Sequence, residues 1–590
     1  MGLNPNGVAS LSWRGGRNPV GVGMFFRAPP RVVRSSEPFG ACGSAAPALH
    51  GCNLPSAVND SPRLHPALIL FEDEDLLVVD KPAGLNTHAP APFAGEGIYD
   101  WLRQREPRWA GLAIIHRLDK ETSGVLVFGK TPLTNRSLTE QFTQRTVLKK
   151  YLLLTDRTVK AESLTATSTL VRVGEKYLSR PPHAGGERAE TRFRVVGLER
   201  GQTLVEAEPV TGRTHQIRVH AAEHGFPILG DTLYGGAAWP RVCLRAHTLT
   251  LRHPASGGEM TLTAAGDFAT DPRLVLRDAV IDPGLTDAFR LIHGASDGWP
   301  VWYVDRLGEF LLSQSERELT EAQRHHLESL SGVAGVYHKI LTRRVRQTRV
   351  AQASPRLVSG HAAPEPLVIR ENGIRFDLSF AEGYSVGLFP DQRDNRRRFL
   401  VNHIAAGFPV FPQGAAGGEV LNTFAYTCGF SVCAAQAGAR VTSLDLSKKY
   451  LEWGRRNFTL NALDPTAHDF IYGDVFDWLR RLAKKRRVFD VVVLDPPTFS
   501  QSKEHGLFRA EKDYGALVAA ALPLLKAGGT LLASTNAAGL KPEEFLAAIG
   551  TAATAARRAI TQRHYVPQPP DFPITRDEPA YLKTVWLKLA

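Results

Sequence analysis

Apolar positions along the chain repeat with three different rhythms. The runs Ile69-Leu70-Phe71 and Leu76-Leu77-Val78-Val79 flank the acidic stretch Glu72-Asp73-Glu74-Asp75, and Pro82 with Gly84 stops the second run. This predicts two strands around an acidic turn. Strand-length runs continue at 124–128, 150–154 and 204–210. They predict a mainly antiparallel β domain with a few helices over 65–266, an ordinary length for one domain. Shorter strands at 301–304 and 309–313, with a helical stretch at 318–330, mark a small α+β middle domain over 285–385. Beyond it, apolar runs at 420–423, 439–444, 489–494 and 529–534 alternate with helical patterns at 431–436, 448–461 and 514–525. That alternation predicts a parallel, doubly wound α/β sheet over 386–590. The stretch 267–284 reads as a linker. Residues 1–64 are rich in Gly, Pro, Ser, Ala and Asn, with Arg14, Arg17, Arg27, Arg31 and Arg34 among few acids. No period of 3.6 or 2 persists there, so they read as a disordered tail, or as an over-extended start with Met24 the true beginning.

Composition narrows the class without naming it. Of 590 residues, 43% are hydrophobic and 22% charged, which excludes a wholly disordered, collagenous or coiled-coil chain. Cys42, Cys52, Cys243, Cys428 and Cys433 are too scattered for a disulfide framework, and no Cys-x-x-Cys pair suggests zinc. A reducing, cytoplasmic setting follows, and no run approaches the ~20 apolar residues of a membrane span. The net charge of +12 leans towards a polyanionic partner. Three basic blocks stand out: Arg343, Arg344, Arg346 and Arg349; Arg393, Arg396, Arg397 and Arg398; and Lys484-Lys485-Arg486-Arg487. They either track phosphates or lie on solvated faces.

The first chemical constellation is Ile115-His116-Arg117-Leu118-Asp119-Lys120-Glu121-Thr122-Ser123-Gly124, followed by Gly212-Arg213-Thr214-His215-Gln216-Ile217-Arg218-Val219-His220 and Gly230-Asp231. Over about 67–265 these runs, with the leading Val79-Asp80-Lys81-Pro82-Ala83-Gly84, resemble the RluA-type pseudouridine synthases. The resemblance implies isomerisation of uridine in RNA: the glycosidic bond breaks, the base turns, and C5 joins the sugar. A carboxylate serves such chemistry by attacking the sugar or by stabilising its developing cation. By resemblance Asp119 is that carboxylate, Arg218 pairs with it and keeps it ionised, and Tyr151 is the active-site tyrosine that stacks on the base. His116, Arg117, Arg213 and His215 shape the loop or hold phosphates. The family uses no cofactor and no metal. One departure is Leu244-Arg245-Ala246, where the family has Leu-His-Ala.

In the second constellation, Val420-Leu421-Asn422-Thr423-Phe424-Ala425-Tyr426-Thr427-Cys428-Gly429 turns from a strand into a helix, and Val441-Thr442-Ser443-Leu444-Asp445 ends the next strand in an acid. This suits an adenosine-containing cofactor, with Asp445 on ribose hydroxyls. Only Gly429 remains of a three-glycine loop, which disfavours a pyrophosphate cradle. Asp474 is placed to read an adenine amino group, and Asp495-Pro496-Pro497-Thr498-Phe499 ends a further strand. With Phe389-Pro390-Asp391-Gln392-Arg393-Asp394-Asn395-Arg396 upstream, the series over about 285–590 resembles the RlmI/RlmK group of class I S-adenosylmethionine-dependent 23S ribosomal RNA methyltransferases, which have a Rossmann-like catalytic domain. The resemblance implies S-adenosylmethionine bound by Asn422, Phe424, Tyr426, Gly429, Asp445, Asp474 and Asp495, with Asp495 framing the target base and Phe499 either packing or stacking on it. Cytosine C5 requires a cysteine thiolate. Where the 5-methylcytosine members carry it, this chain reads Ser534-Thr535-Asn536. Guanine N7 already has a lone pair and needs alignment alone.

Together these readings make the chain a multidomain α+β and α/β protein: a bifunctional RNA-modifying enzyme acting on 23S ribosomal RNA or pre-ribosomal particles, with guanine N7 as methyl acceptor and no membrane or metal partner. The alternatives are that one half is only an RNA-binding adaptor, or that cytosine C5 is the acceptor.

Overall fold

The computed structural model describes residues 68–95, 97–181, 185–341, 354–383, 385–502 and 506–590. The tail reading for 1–64 and the basic block at Arg343–Arg349 lie outside the described residues. In strand Leu76–Lys81 nearly every position is buried because alternate residues feed different cores. Leu77 and Val79 enter one cluster with Trp101 and Trp109, while Leu76 and Val78 enter another with Leu249 and Leu262. Both faces of this sheet are therefore covered at its centre. Its eleven strands run from Ile69–Glu72 through Leu76–Lys81, Ser123–Gly129, Leu244–Arg252, Leu148–Thr155, Gln202–Pro209, Glu187–Glu199 and Ser163–Val173 to Lys176–Arg180. Ala113–Ile114 and Glu259–Thr263 add to it from the side. All pairings are antiparallel except that of Ser123–Gly129 with Leu244–Arg252. There Gly124, at φ +113, lets the chains approach; a Cβ would stand 2.1 Å from the Ala246 carbonyl oxygen.

A five-stranded sheet follows, ordered Ala288–His293, Trp302–Leu307, Phe310–Ser315, Gly335–Ile340, Arg356–Gly360, with helix Glu321–Glu328 beside it. The third sheet comprises β1 (Glu419–Thr423), β2 (Arg440–Asp445), β3 (Asp469–Tyr472), β4 (Phe489–Leu494), β5 (Leu525–Thr535), β6 (Ile560–Val566) and β7 (Lys583–Leu589), in the order β3-β2-β1-β4-β5-β7-β6. Its first five strands are parallel, and β7 and β6 close it antiparallel. Leu421, Val492 and Leu531 face one core, Val420, Val491 and Leu532 the other, which is why these strands read as continuous apolar runs. The second core also takes Leu307, Phe310 and Leu312 from the five-stranded sheet. Among the described residues no helix is long and apolar enough to cross a membrane.

Two expectations are corrected by the way these layers join. The stretch 267–284 is not a bare linker: helix α2 (Pro272–Val280) buries Leu276, Ala279 and Val280 in the core of the first sheet. Its Arg277 is buried against Asp297 at 2.7 and 3.0 Å and donates to the Asp571 carbonyl at 2.9 Å. The block Arg393–Arg398 neither tracks phosphate nor faces solvent. It lies on helix α3 (Arg393–Val401), and each of its arginines is almost fully buried. Arg393 pairs with Asp571 at 2.6 Å, Arg396 with Glu371 at 2.6 Å and Arg397 with Glu106, while Arg398 donates to Gln104 at 2.7 Å. Glu106 and Gln104 belong to helix α1 (Ile98–Arg105) and its cap, so α3 is riveted to the first sheet's domain. Trp101 adds an indole hydrogen bond to Asp394 at 2.9 Å, and His403 donates to the Arg103 carbonyl at 2.8 Å. Unsatisfied buried charge is costly, so such a paired interface holds one arrangement. Of the third block, Lys484, Lys485 and Arg486 are exposed and Arg487 pairs with Glu419.

Candidate active sites

The first site grows from the loop between Ala113–Ile114 and Ser123–Gly129. Leu118 is clamped by Thr87, whose hydroxyl donates to its carbonyl at 2.8 Å and accepts from its amide at 3.1 Å. Lys81, fully buried, donates to the carbonyls of Pro82, Leu85 and Lys120 at 2.9, 2.6 and 3.3 Å. Burial drives its ammonium down to about 7, while Glu121 and Asp119 pull the other way. Asp119 is thus presented on a fixed loop, its side chain 29% exposed. His215 Nε2 stands 3.9 Å and Arg218 4.0 Å from the same Asp119 oxygen. Burial raises the carboxyl of Asp119, opposed by the charge of Arg218 and by that of His215 when protonated; burial and Arg218 in turn lower the His215 imidazole. Tyr151 lies on the strand Leu148–Thr155; burial and the Asp119 charge push its phenol far up, so it is neutral.

The expected pairing is corrected in one respect. Arg218 forms its bidentate bond with Asp231, at 2.7 and 2.8 Å, both side chains being almost fully buried. Only its remaining nitrogen faces Asp119, and Glu121 at 3.5 Å. Arg218 is thereby aimed rather than consumed. Tyr234 stands beneath it, 5.2 Å from ring centroid to guanidinium, and shares a 2.8 Å hydrogen bond with His215 Nδ1. His116 accepts from the Val127 amide and stacks on Phe142, and burial lowers it to about 3, so it is a neutral packing residue. Arg117 is exposed, and Arg213 lies near Glu187 on the surface. The departure Arg245 is buried and paired with Asp80.

The second site is a cleft at the carboxyl ends of β1, β2 and β4, where ligands bind in open α/β sheets. Asn422, Phe424, Tyr426, Gly429, Asp445 and Asp495 all line it. Asp474 does not: it caps the helix Val475–Lys484, accepting from the Asp477 amide at 3.1 Å. Phe499 is half-buried in a hairpin beside the cleft and is likewise not part of the lining. The turn after β1 does without its missing glycines by holding Phe424, Tyr426 and Cys428 at φ of 52, 50 and 65°. Such left-handed backbone at non-glycine residues costs about 1–3 kcal/mol each and clusters at functional sites. Asp445 accepts from the amides of Tyr426 and Ser447, both at 2.8 Å, and burial raises it to about 7.

At the far end of the cleft Asp495 and Asp391 share one neighbourhood. Burial and the Asp391 charge push Asp495 up to about 7; burial lifts Asp391 to about 6. Gln392 donates to Asp495 at 3.2 Å and to Ser534 at 2.8 Å. Tyr581 donates to one Asp391 oxygen at 3.0 Å, and the other is buried without a partner. The fully buried Tyr514 donates to the carbonyls of Leu494 and Ser534, tying the ends of β4 and β5 together. Lys81, Asp231, Asp391 and Gln392 lie inside the motifs read from the sequence but carry no role there, and Tyr514 stands outside those motifs. An acid on β2, a strained turn on β1 and an acid pair with an open acceptor make a donor set that fits an adenosyl sulfonium cofactor beside a nucleobase. Cys428 and Cys433 are buried in the core outside the cleft, their thiols raised by burial. Among the described residues no cysteine lines it.

Comparison with known proteins assigns both regions. Residues 75–223 match the family model for RNA pseudouridylate synthase, and 289–588 match that for S-adenosylmethionine-dependent methyltransferase. A ribosomal RNA large subunit methyltransferase of Deinococcus radiodurans is 32% identical over 54% of this chain and 78% of its own length. Ribosomal RNA large subunit methyltransferase I of Escherichia coli O157:H7 is 33% identical over 52% and 76%. The solved human RNA Pseudouridylate Synthase Domain Containing 4 is 28% identical, covering 35% of this chain and 92% of that one, with a TM-score of 0.29.

Proposed function

The chain belongs to the S-adenosylmethionine-dependent methyltransferase family and carries an RNA pseudouridylate synthase domain ahead of it, and from that premise we propose that it isomerises a uridine and methylates guanine N7, both in large-subunit ribosomal RNA. It is a bifunctional RNA-modifying enzyme, and S-adenosylmethionine is its cofactor. The ribosomal substrate is supported by the relatives' names. We assign the isomerase to 65–266 and the methyltransferase to 386–590, with 285–385 as a middle domain.

In the isomerase, Asp119 attacks or cradles the sugar C1′ as the bond to N1 breaks. Arg218, about 4 Å away, stabilises its charged form, while His215 at a similar distance, its imidazole lowered by burial and by Arg218, borders it as a neutral ring. The freed base turns, C5 bonds to C1′ as any bond from Asp119 to C1′ breaks, and C5 gives up its proton while N1 takes one up, so that the product is an isomer of the substrate. Neutral Tyr151 stacks on the base and hydrogen-bonds it during that turn. A target base inside a helix must first be extruded, which a loop this rigid can receive but not chase.

In the methyltransferase, Asp445 and the turn at Tyr426–Gly429 hold the adenosine part of the cofactor, which when bound supplies an electrophilic methyl group. Asp495 and Asp391 orient the guanine edge, accepting its N–H donors when ionised and donating to its O6 when protonated. The observation that carries N7 over cytosine C5 is the cleft itself, whose described lining has carboxylates and no thiol. The test incubates the purified chain with unmodified large-subunit ribosomal RNA and methyl-labelled S-adenosylmethionine. Label in 7-methylguanosine is expected; label in 5-methylcytidine overturns the acceptor.

A further inference from the structure

One short segment aims two groups at Asp119. Asp231 opens it and holds Arg218, and Tyr234 at its end meets His215. His215 stands at φ 58° and ψ 14°, left-handed backbone immediately ahead of the helix Gln216–Glu223. Such backbone at a non-glycine residue is strained and persists only where its surroundings hold it. Here they do. The buried Gln216 accepts from the Thr211 hydroxyl at 2.6 Å and from the Arg213 amide at 3.0 Å, and donates to the Glu190 carbonyl at 2.8 Å. The rings of Tyr177 and Tyr234 meet the imidazole edge-on, at centroid separations of 5.5 and 5.6 Å. Its plane is thus fixed, with Nδ1 towards Tyr234 and Nε2 towards Asp119.

The proton count in this cluster places the imidazole hydrogen. The Tyr177 amide donates to the Tyr234 hydroxyl oxygen at 2.9 Å, and a backbone N–H can only donate. The hydroxyl has one hydrogen, and its other partner among the described residues is His215 Nδ1 at 2.8 Å. With the phenol donating, each hydrogen has an acceptor, and Nδ1 is that of Tyr234. The proton of a neutral imidazole then lies on Nε2. The charges agree: a bare Nε2 lone pair facing the Asp119 oxygen would repel it, whereas an N–H attracts it. Burial and the Arg218 charge keep the ring neutral against the pull of Asp119, Glu121 and Asp231. We propose that Tyr234 is a positioning residue of the isomerase: it holds His215 as the tautomer protonated on Nε2, so that an uncharged N–H donor is aimed at the Asp119 carboxylate. This rests on the isomerase reading of Asp119.

The distance leaves room for the donor to engage on demand. Nε2 stands 3.9 Å from Asp119 Oδ2, roughly 1 Å beyond hydrogen-bond length. Catalytic hydrogen bonds are often long before substrate arrives and tighten when it binds. Once closed, the N–H favours the carboxylate form of Asp119, before it meets the sugar and as it parts from C1′. An imidazolium in the same place would pass its proton to Asp119 and quench it. The neutral ring keeps its proton throughout.

The test uses the full chain, with nitrogen NMR of isotope-labelled histidine and single-turnover pseudouridine formation on large-subunit ribosomal RNA. The resonances that His215→Gln removes should be those of a neutral ring protonated on Nε2. Tyr234→Phe keeps a ring beneath Arg218 but removes the hydroxyl. The His215 signals should then move to a mixture of tautomers, and the rate should fall about tenfold, the worth of one hydrogen bond. Two amides separate the donor from packing. His215→Gln puts an amide N–H in the place of Nε2 and should stay within about tenfold of the parent, with Tyr234→Phe adding no further loss. His215→Asn puts its amide in the place of Nδ1 and should lose about a hundredfold, as when a preorganised donor is removed. Methyl transfer by each variant reports that the chain is folded. A parent His215 protonated on Nδ1, a Tyr234→Phe enzyme within about twofold of the parent rate, or Asn serving as well as Gln overturns the positioning role alone. A parent chain that forms no pseudouridine in that RNA overturns the isomerase reading and the role of Tyr234 with it.

Discussion

Replacing Asp231 by Asn isolates what aims Arg218 at the isomerase carboxylate. The pair is bidentate at 2.7 and 2.8 Å, with side-chain exposures of 1% for the acid and 4% for the guanidinium. Removing one partner of such a buried pair costs about 3–5 kcal/mol, because the other charge is left uncompensated. Here Arg218 already stands 3.5 Å from Glu121 and 4.0 Å from Asp119, so it can turn towards them and recover part of that loss. A net destabilisation of about 2–3 kcal/mol follows. The recovery has a catalytic consequence. An Arg218 that closes onto Asp119 withdraws the carboxylate from the sugar, and a misplacement of about 1 Å costs roughly a hundredfold in rate. Denaturant unfolding and pseudouridine formation on the same preparations measure both effects, with methyl transfer as the internal control. Arg218→Met combined with Asp231→Asn should be less destabilised than the sum of the two single variants, because no orphan charge remains. An Asp231→Asn protein that unfolds with the parent and isomerises within about twofold of it would refute the aiming role.

Other outcomes follow from the same geometry. Lys81→Met leaves the carbonyls of Pro82, Leu85 and Lys120 without their shared donor, so the Asp119 loop should loosen, with isomerase activity lost and methyl transfer kept in paired assays. Asp391 and Asp495 are held at about 6 and about 7 in the fold, above the unfolded value near 4. The fold therefore binds protons that the unfolded chain has released, and this contribution to stability falls as pH rises from about 4 to about 7. Methyl transfer should rise over the upper part of that window if ionised Asp495 orients the base; a profile that Asp495→Asn leaves unchanged contradicts this. Cys428→Ala and Cys433→Ala should both still methylate RNA, and radiolabel transfer by either variant falling to background would restore a thiol mechanism. Trp101→Ala together with Glu106→Gln should split one calorimetric transition into two, by freeing α3 from α1.

What the sequence exposes and what it conceals divide along a physical line. Strands β1, β2 and β4 are legible because both faces of a parallel sheet are buried, so their residues form unbroken apolar runs. Asp119, Asp445 and Asp495 are legible because each ends or follows such a run inside a contiguous motif. The arginines of α3 mislead for the opposite reason. Their partners are far along the chain, 291 residues for Arg397 and Glu106 and 178 for Arg393 and Asp571, and a charge without a visible partner reads as solvent-facing. Asp474 sits where the motif expects a ligand-reading acid, yet its carboxylate caps the helix that follows. Strands β6 and β7 escape notice because they close the sheet outside the alternating strand–helix pattern.

A nucleotide-resolution map of pseudouridine and 7-methylguanosine in cellular RNA, taken from cells carrying the parent chain, Asp119→Asn or Asp495→Asn, tests the two-site account most directly. Asp119→Asn should erase one pseudouridine and leave every methylguanosine; Asp495→Asn should erase one methylguanosine and leave every pseudouridine. A map in which either substitution leaves its own modification in place contradicts the account for that half.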